Sequence, residues 1–247
     1  MKKLSTLRAA AFAITVAALS VPAFAQPCHL VISQVYGAGG NAGASYNRDF
    51  VEIFNPTGTS QNLSGWSIQY ASAAGAIWSV ASLTGTIQPG RYYLVQMTLS
   101  GVNGAALPTP DFTVGADIAM AAGAGKVALL SSNTALSGTC PTSGSIIDFV
   151  GYGATANCFE GAAPTPAPSA TNAAIRAGAG CTDTDVNSTN FSAAAVSPRN
   201  SATAANYCIP TQLVITNISP ASPTAGVGFD VTVEARNANN VAQNVTA

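Results

Sequence analysis

DFVEIFNPTGTSQNLSGWSIQ, residues 49–69, predicts a strand, a turn and a second strand. Residues 50–54 are apolar except for Glu52, and their β-branched and aromatic side chains suit a buried strand. The following Asn-Pro-Thr-Gly ends it, because proline cannot donate a ladder hydrogen bond and glycine accepts the positive φ of a tight turn. Apolar and polar side chains alternate over residues 66–70, which indicates a strand with one apolar face. A lone hairpin is unstable in water, so further strands must cover it.

The rest of the chain supplies short strands separated by turn residues. We expect them at residues 29–36, 77–80, 91–97, 126–130 and 146–152. The glycine-rich residues 37–43 are interpreted as a mobile connection, since they lack the Gly-Lys-Ser/Thr of a phosphate loop. Residues 160–180 and 190–207 show little periodicity; the first is predicted to be an extended surface loop and the second to be irregular. With no sustained helical period, this pattern predicts an all-β, antiparallel sandwich or barrel.

Composition and the first 25 residues indicate an exported protein. The chain is 48% hydrophobic and only 8% charged. Lys2, Lys3 and Arg8 precede an apolar run that ends near Ala23-Phe24-Ala25, which predicts a signal peptide over residues 1–25. The run is too short for a membrane span, and no other segment approaches that length. Removal of residues 1–25 leaves six of the nine basic residues against ten acidic ones, a net charge of about −4. The sequence shows no cluster of basic residues suited to binding nucleic acid.

Five cysteines, Cys28, Cys140, Cys158, Cys181 and Cys208, are expected to form disulfides in an exported chain. A bond between Cys140 and Cys158 would staple a loop that contains the strand at 146–152. A bond between Cys181 and Cys208 would close the end of the domain and leave Cys28 unpaired. Alternatively, Cys28 with Cys208 would tie the termini together, and the spacing does not choose between these pairings.

The residue pattern of the sequence changes after residue 210. Residues 213–215, 219–223 and 229–235 are predicted to be opening strands of another β-domain, and the sequence ends before such a domain would close. We therefore expect a signal peptide (1–25), a first β-domain (26–208) and a truncated second domain (209–247), and we interpret the chain as a fragment.

Two motifs at this spacing resemble the lamin tail domain family. Phe50-Val51-Glu52-Ile53-Phe54-Asn55 is similar to its aromatic-Val-Glu-aliphatic-x-Asn strand, and Asn62-Leu63-Ser64-Gly65-Trp66 to its Leu-Ser-Gly-Trp turn. Residues 88–95 and 147–153 resemble a later turn and strand and the closing strand, so that the resemblance spans roughly 28–208. It implies an immunoglobulin-like antiparallel β-sandwich in which Glu52, Asn55, Leu63, Gly65 and Trp66 are structural. Residues 211–247 are similar to the start of a bacterial immunoglobulin-like repeat.

The resemblance implies a fold more than an activity. Our leading hypothesis is an exported, non-catalytic binding or spacer module of a larger extracellular or cell-surface protein, with a surface polymer or a protein as partner. One alternative is an accessory domain of an extracellular nuclease or phosphatase-type hydrolase whose catalytic domain lies beyond residue 247. Another is a calcium- or carbohydrate-dependent adhesive domain.

Side chains suited to catalysis are scarce, and none is assigned a catalytic role. His29 is the only histidine, and no Gly-x-Ser-x-Gly elbow is present. Glu52 and Asp148 lie within predicted strands, and a buried carboxylate needs a partner. Arg48 or Arg91 could supply it for Glu52.

The one metal hypothesis concerns Asp183, Asp185 and Asn187, whose oxygens recur at every second residue as ligands of a hard cation such as calcium do. Against it, Ser188 and Ala194 stand where a helix-loop-helix calcium site has glycine and glutamate, and Asp and Asn are also common in turns. No other cofactor is expected.

Aromatic residues offer a further binding hypothesis. Trp66 with Tyr70, or Tyr92 with Tyr93, could form an exposed platform for sugars or bases. Tyr92 and Tyr93 point to opposite faces of their strand, so we expect one of them to be exposed; for Trp66, core packing is the expected role.

Overall fold

The structure, a computed structural model, describes residues 29–208, 212–222, 224, 227, 229–236 and 242–243. The predicted signal peptide and Cys28 lie outside these residues. The strands between residues 29 and 208 are β1 (Val31–Tyr36), β2 (Phe50–Phe54), β3 (Gln61–Asn62), β4 (Ser67–Ser72), β5 (Ser79–Ser82), β6 (Thr86–Ile87), β7 (Tyr92–Gln96), β8 (Phe112–Thr113), β9 (Gly125–Leu130), β10 (Ile146–Tyr152), β11 (Asn172–Arg176) and β12 (Phe191–Ala195). A 3₁₀ turn spans Ala177–Gly180, and a single helical turn, α1, spans Asn187–Asn190.

These strands form two large sheets and one small one. The six-stranded sheet has the order β12-β11-β1-β2-β7-β8, and the four-stranded sheet has the order β10-β9-β4-β5. Strands β3 and β6 pair separately. All pairs are antiparallel except β7 with β8. The all-β prediction is confirmed, and of its two architectures the chain adopts the sandwich.

The main core lies between the two large sheets. Ile53 and Val95 contribute to it from the six-stranded sheet, and Ile68, Leu129 and Val150 contribute from the four-stranded sheet. Each of these side chains is fully buried, and burial of one such side chain contributes roughly 1.5–3 kcal/mol. The apolar face of the hairpin quoted above therefore lies at the centre of the protein. Trp66 is half-buried at the margin of this core.

The outer faces of both sheets are also covered, which sequence alternation did not predict. In β4 the polar Ser67 and Gln69 are buried, because residues 132–136 lie over them. The Ser67 hydroxyl donates to the Ser132 carbonyl, and the Gln69 side chain bonds Thr134 and Leu136. Tyr92 and Tyr93 are likewise both buried, so the expectation that one of them is exposed is wrong.

Two strands occupy segments that were predicted to be irregular. β11 pairs with β1 and β12 pairs with β11, which extends the six-stranded sheet by two strands. The predicted surface loop at 160–180 therefore contains a strand whose Ala173 and Ala174 are fully buried. Alanine-rich strands lack the bulky alternating side chains by which a strand is recognised in sequence.

The glycine-rich connection after β1 is closely packed. The Gly39 amide donates to Asp49 Oδ1 at 2.7 Å, and a Cβ at this position would come within 1.9 Å of the Arg48 backbone. Only the tip, residues 41–43, is exposed. This packing contradicts the predicted mobile connection at residues 37–40.

The described residues beyond 208 form a separate antiparallel sheet. β13 (Gln212–Ser219) pairs with β14 (Asp230–Arg236), which pairs with β15 (Ala242–Gln243). The strand predicted at 219–223 falls partly outside the described residues, and Ser219 is the last residue of β13. Within the part of the chain that the structure describes, no helix has the length and apolar character needed to cross a membrane.

Candidate functional site

Arg176 is the centre of a buried ionic cluster that joins the two large sheets. It is the last residue of β11 and is only 1% exposed. Its Nε donates to the Ile32 carbonyl at 2.9 Å, its Nη2 to both carboxylate oxygens of Asp148 at 2.9 and 2.7 Å, and its Nη1 to Asp183 Oδ1 at 2.6 Å. The guanidinium carbon lies 4.5 Å from the centre of the Phe191 ring. One cation thus links β1 and β11 of the six-stranded sheet to β10 of the four-stranded sheet.

Three carboxyl groups meet around this guanidinium. One oxygen each of Asp148, Glu160 and Asp183 lies within 4.8 Å of the others. We call these three residues and Arg176 the Arg176 cluster. Asp148 also accepts a hydrogen bond from the Ile32 amide, and His29 Nε2 lies 3.7 Å from Asp183 Oδ2 at the edge of the cluster.

The electrostatics of the cluster are set by burial and by mutual proximity. Burial, together with the neighbouring Asp148 charge, raises the pKa of Glu160 to about 8. Burial alone would lower the pKa of the Arg176 guanidinium, but the Asp148 and Asp183 charges outweigh it and raise that pKa. At neutral pH the Glu160 carboxyl group beside this guanidinium is therefore mostly protonated. Burial also raises the pKa of Asp148, although the Arg176 charge opposes this.

The chemistry of the cluster is that of a clamp between sheets. Carboxylate oxygens this close together suit a divalent cation, but Arg176 already supplies the positive charge to Asp148 and Asp183. A buried ion pair is stable only when its remaining hydrogen-bonding positions are filled, and here they are filled by backbone amides and by Asn187.

The three residues predicted to bind calcium have different surroundings. Asp183 lies in the Arg176 cluster, whereas Asp185 is exposed and adopts a positive φ of 52°. Asn187 is fully buried against β10. The contacts thus direct Asp183 and Asn187 to separate partners, and the carboxyl groups that do converge with Asp183 are Asp148 and Glu160.

Asn187 and Glu160 close the outer edge of β10. Asn187 Oδ1 accepts from the Gly151 amide at 2.8 Å, and its Nδ2 donates to the Phe149 carbonyl at 2.9 Å. Glu160 Oε1 accepts from the Phe149 amide at 3.1 Å. Thr165 extends the pattern, since its amide donates to the Gly151 carbonyl and its carbonyl accepts from Gly153. These groups replace the neighbouring strand that β10 lacks.

A second buried ion pair involves Glu52 of the family-like strand. Glu52 is fully buried, and its carboxylate accepts from the Arg199 side chain at 2.7 Å and from Ser33 and Gln34. The Arg199 guanidinium also lies over the Tyr92 ring, 3.9 Å from its centre. The partner predicted for Glu52, Arg48 or Arg91, is therefore wrong: both donate to backbone carbonyls instead.

The other motif residues shape the turns around β3 and β4. Asn55 donates to the Thr59 and Ile87 carbonyls, and its Oδ1 accepts from the Thr57 amide. Gly65 has a φ of 84°, which an L-residue rarely adopts, and Leu63 is fully buried. These contacts are all structural.

Both cysteine pairs named first in the sequence analysis are bonded. Cys140 is joined to Cys158, and Cys181 to Cys208. The first bond anchors the segment that follows β10, and the second fastens the end of the domain beside Phe54 and Tyr92.

Two surface grooves lie away from the Arg176 cluster. One, of about 400 Å³, is lined by β5 and by residues 112 and 114–118. The other, of about 460 Å³, is lined mainly by hydroxyl-bearing residues between 134 and 145. Neither contains a member of the cluster.

Sequence reasoning missed Arg176, Arg199 and Glu160. Arg176 had a usable signal, because it is the only charged residue between positions 161 and 180. A lone charge in an alanine-, proline- and glycine-rich segment is expensive to bury and must have a partner. Nothing local indicated Arg199, which lies 147 residues from Glu52.

Comparison with known proteins bears on the fold. The family model described as Lamin Tail Domain matches residues 24–154. A crystal structure of a DUF4876 family protein from Bacteroides thetaiotaomicron is similar, with 12% sequence identity, a TM-score of 0.45, and coverage of 73% of this chain and 74% of that one. No curated protein matches the chain. Since the family match covers more than half of the 247 residues, the chain belongs to the lamin tail domain family.

Proposed function

We propose that residues 26–208 form an exported, non-catalytic module that binds a partner or spaces other domains of an extracellular or cell-surface protein. The observation that carries this proposal is the Arg176 cluster. Its charged groups bond to one another and to backbone amides across two sheets. A general acid or base must instead lie within hydrogen-bonding reach of a substrate. The cluster therefore serves the rigidity of an immunoglobulin-like sandwich.

Export is supported by two independent features. The first 25 residues carry the basic, apolar and Ala-x-Ala pattern of a signal peptide. The Cys140–Cys158 and Cys181–Cys208 bonds suit an oxidising compartment.

The non-catalytic role is tested by incubating the purified full chain with DNA, a phosphomonoester and a peptide substrate. We expect no turnover above buffer. The matched variants are Glu160→Gln and Asp183→Asn, which remove the ionisable groups of the cluster. Hydrolysis by the wild type that either variant abolishes would contradict the proposal.

Export is tested separately, by expressing the chain with its own first 25 residues in a Gram-negative host. We expect periplasmic protein that begins at Gln26 and carries both disulfides, as read by intact mass with and without reductant. An Ala25→Asp variant should remain unprocessed. A wild-type chain found reduced and unprocessed in the cytoplasm would contradict the proposal of export.

A further inference from the structure

β5 presents an open edge of the four-stranded sheet. It pairs with β4 on one side, and on its other side the described residues supply no strand. The Leu83 amide donates to the Trp66 carbonyl at 2.8 Å. In the same antiparallel register, Ala81 and Ser79 therefore bond β4, whereas the amides and carbonyls of Val80 and Ser82 point away from it.

A groove lies beside this edge. Its volume is about 400 Å³, and its other wall is formed by Phe112 and residues 114–118. Val114 and Ile118 are buried in the main core, so the apolar part of the accessible wall consists of the half-buried Phe112 and the exposed Ala116. An edge with unpaired backbone groups beside a groove is the arrangement that binds extended peptides: the main chain adds as a strand and a side chain fills the groove.

The charge at the groove indicates which peptide fits. Asp117 is exposed and is the only charged residue among those that line it. The one charge at the groove is therefore negative and favours a partner with lysine or arginine.

The same charge disfavours a second copy of this chain as the occupant. β5 reads Ser-Val-Ala-Ser, so pairing of two β5 edges would place no cation from either β5 opposite Asp117. Equally, β5 has no lysine, proline or inward-pointing charge of the kind by which edge strands are blocked.

We propose that the β5 groove binds an extended segment of another protein, which adds to the four-stranded sheet as a fifth strand, places an apolar side chain against Phe112 and Ala116, and sets a basic residue near Asp117. This names the partner class for the binding role proposed above. It does not depend on export, because it is tested with purified protein.

The test is selection of a random dodecapeptide display library on the purified full chain. We expect enriched peptides to alternate apolar and polar residues and to carry lysine or arginine. Val80→Pro removes an amide that faces away from β4, a place where an edge strand tolerates proline. It should weaken the binding of these peptides about tenfold through the one lost hydrogen bond.

Two further variants keep the proposal falsifiable should Val80→Pro disturb folding. Asp117→Asn can keep the acceptor for the Leu99 amide and should reduce both affinity and its salt dependence. Thr142→Lys, in the other groove, should change neither. The proposal is overturned if no peptide enriches above an unrelated protein. It is also overturned if neither Val80→Pro nor Asp117→Asn changes the affinity measured for the wild type. It is also overturned if sedimentation shows a wild-type dimer that Val80→Pro dissociates, because the edge would then belong to a second copy.

Discussion

The two outer strands of the four-stranded sheet are treated in opposite ways. At β10, the outward-facing groups of Phe149, Gly151 and Gly153 are bonded by Glu160, Asn187 and Thr165. At β5, the corresponding groups of Val80 and Ser82 face an open groove. Both strands end the same sheet, but only one edge is closed.

This difference shows where the chain uses its few charged and amide side chains. Closing β10 requires the Asn187 amide to be buried and the Glu160 carboxyl group to be half-buried, and it places Glu160 beside two other carboxyl groups. Such burial is unfavourable unless every polar atom finds a partner. In the described residues no buried side-chain nitrogen or oxygen lacks one. A closed edge of this kind stabilises the fold, whereas the open edge stays available for binding.

The largest effect should come from removing the cation beneath the closed edge. Arg176→Met leaves Asp148 and Asp183 buried without their partner and should lower the free energy of unfolding by roughly 3–5 kcal/mol, measured by urea denaturation. The control is Arg48→Met, since Arg48 donates to the Asn47 and Gly101 carbonyls. Equal losses in the two variants would show that the Arg176 cluster has no special role.

The next effect concerns the Cys140–Cys158 disulfide, which anchors the segment that follows β10. The Cys140→Ala/Cys158→Ala double variant opens a loop with a sequence separation of 18, which should cost about 3 kcal/mol. We also expect faster hydrogen exchange at Phe149, Gly151 and Gly153. The Cys181→Ala/Cys208→Ala control should lose similar stability without that local acceleration; a uniform pattern in both would contradict the anchoring role.

A substitution of Asn187 tests the hydrogen bonds that close the outer edge of β10. Asn187→Ala leaves the Gly151 amide and the Phe149 carbonyl without partners and should cost about 2 kcal/mol. Ser82→Ala on the open edge should change stability by less than about 0.5 kcal/mol. The comparison between the edges fails if the two substitutions have the same effect on the urea midpoint.

The smallest effect is a pH dependence. The pKa of Glu160 is raised to about 8 from 4.5, so its protonated form stabilises the folded state, and this contribution is lost as the pH rises through the folded pKa. The pKa of Asp49 is raised to about 6, so Asp49 also lowers stability as the pH rises, but mostly below pH 7. Between about pH 7 and about pH 9 we therefore expect wild-type stability to fall by about 1 kcal/mol, and Glu160→Gln to flatten the curve. Stability that rises over this range would contradict the assignment.

The sequence predicted those strands that carry bulky side chains. β2 and β10 begin and end where expected, since β-branched and aromatic residues mark them. β11 and β12 consist largely of alanine and polar residues, and they are placed in the sheet by the pairing of β11 with β1 and of β12 with β11. Local pattern cannot reveal such strands.

The candidate site was predictable only in part. That Asp148 and Glu52 need partners followed from their positions in apolar strands. The identity of those partners did not, because Arg176 and Arg199 reach them through the folded topology rather than through neighbouring sequence. Asn187 was noticed as an oxygen ligand, yet its amide serves as a substitute for a strand.

The 147-residue separation of Glu52 and Arg199 has a consequence for synthesis. A polypeptide that emerges amino-terminus first exposes β2 long before its counterion appears. Until Arg199 has left the ribosome, the Glu52 carboxylate has no guanidinium to pair with and is best served by water. This ion pair can therefore form only when the strands from β1 to β12 have all been synthesised.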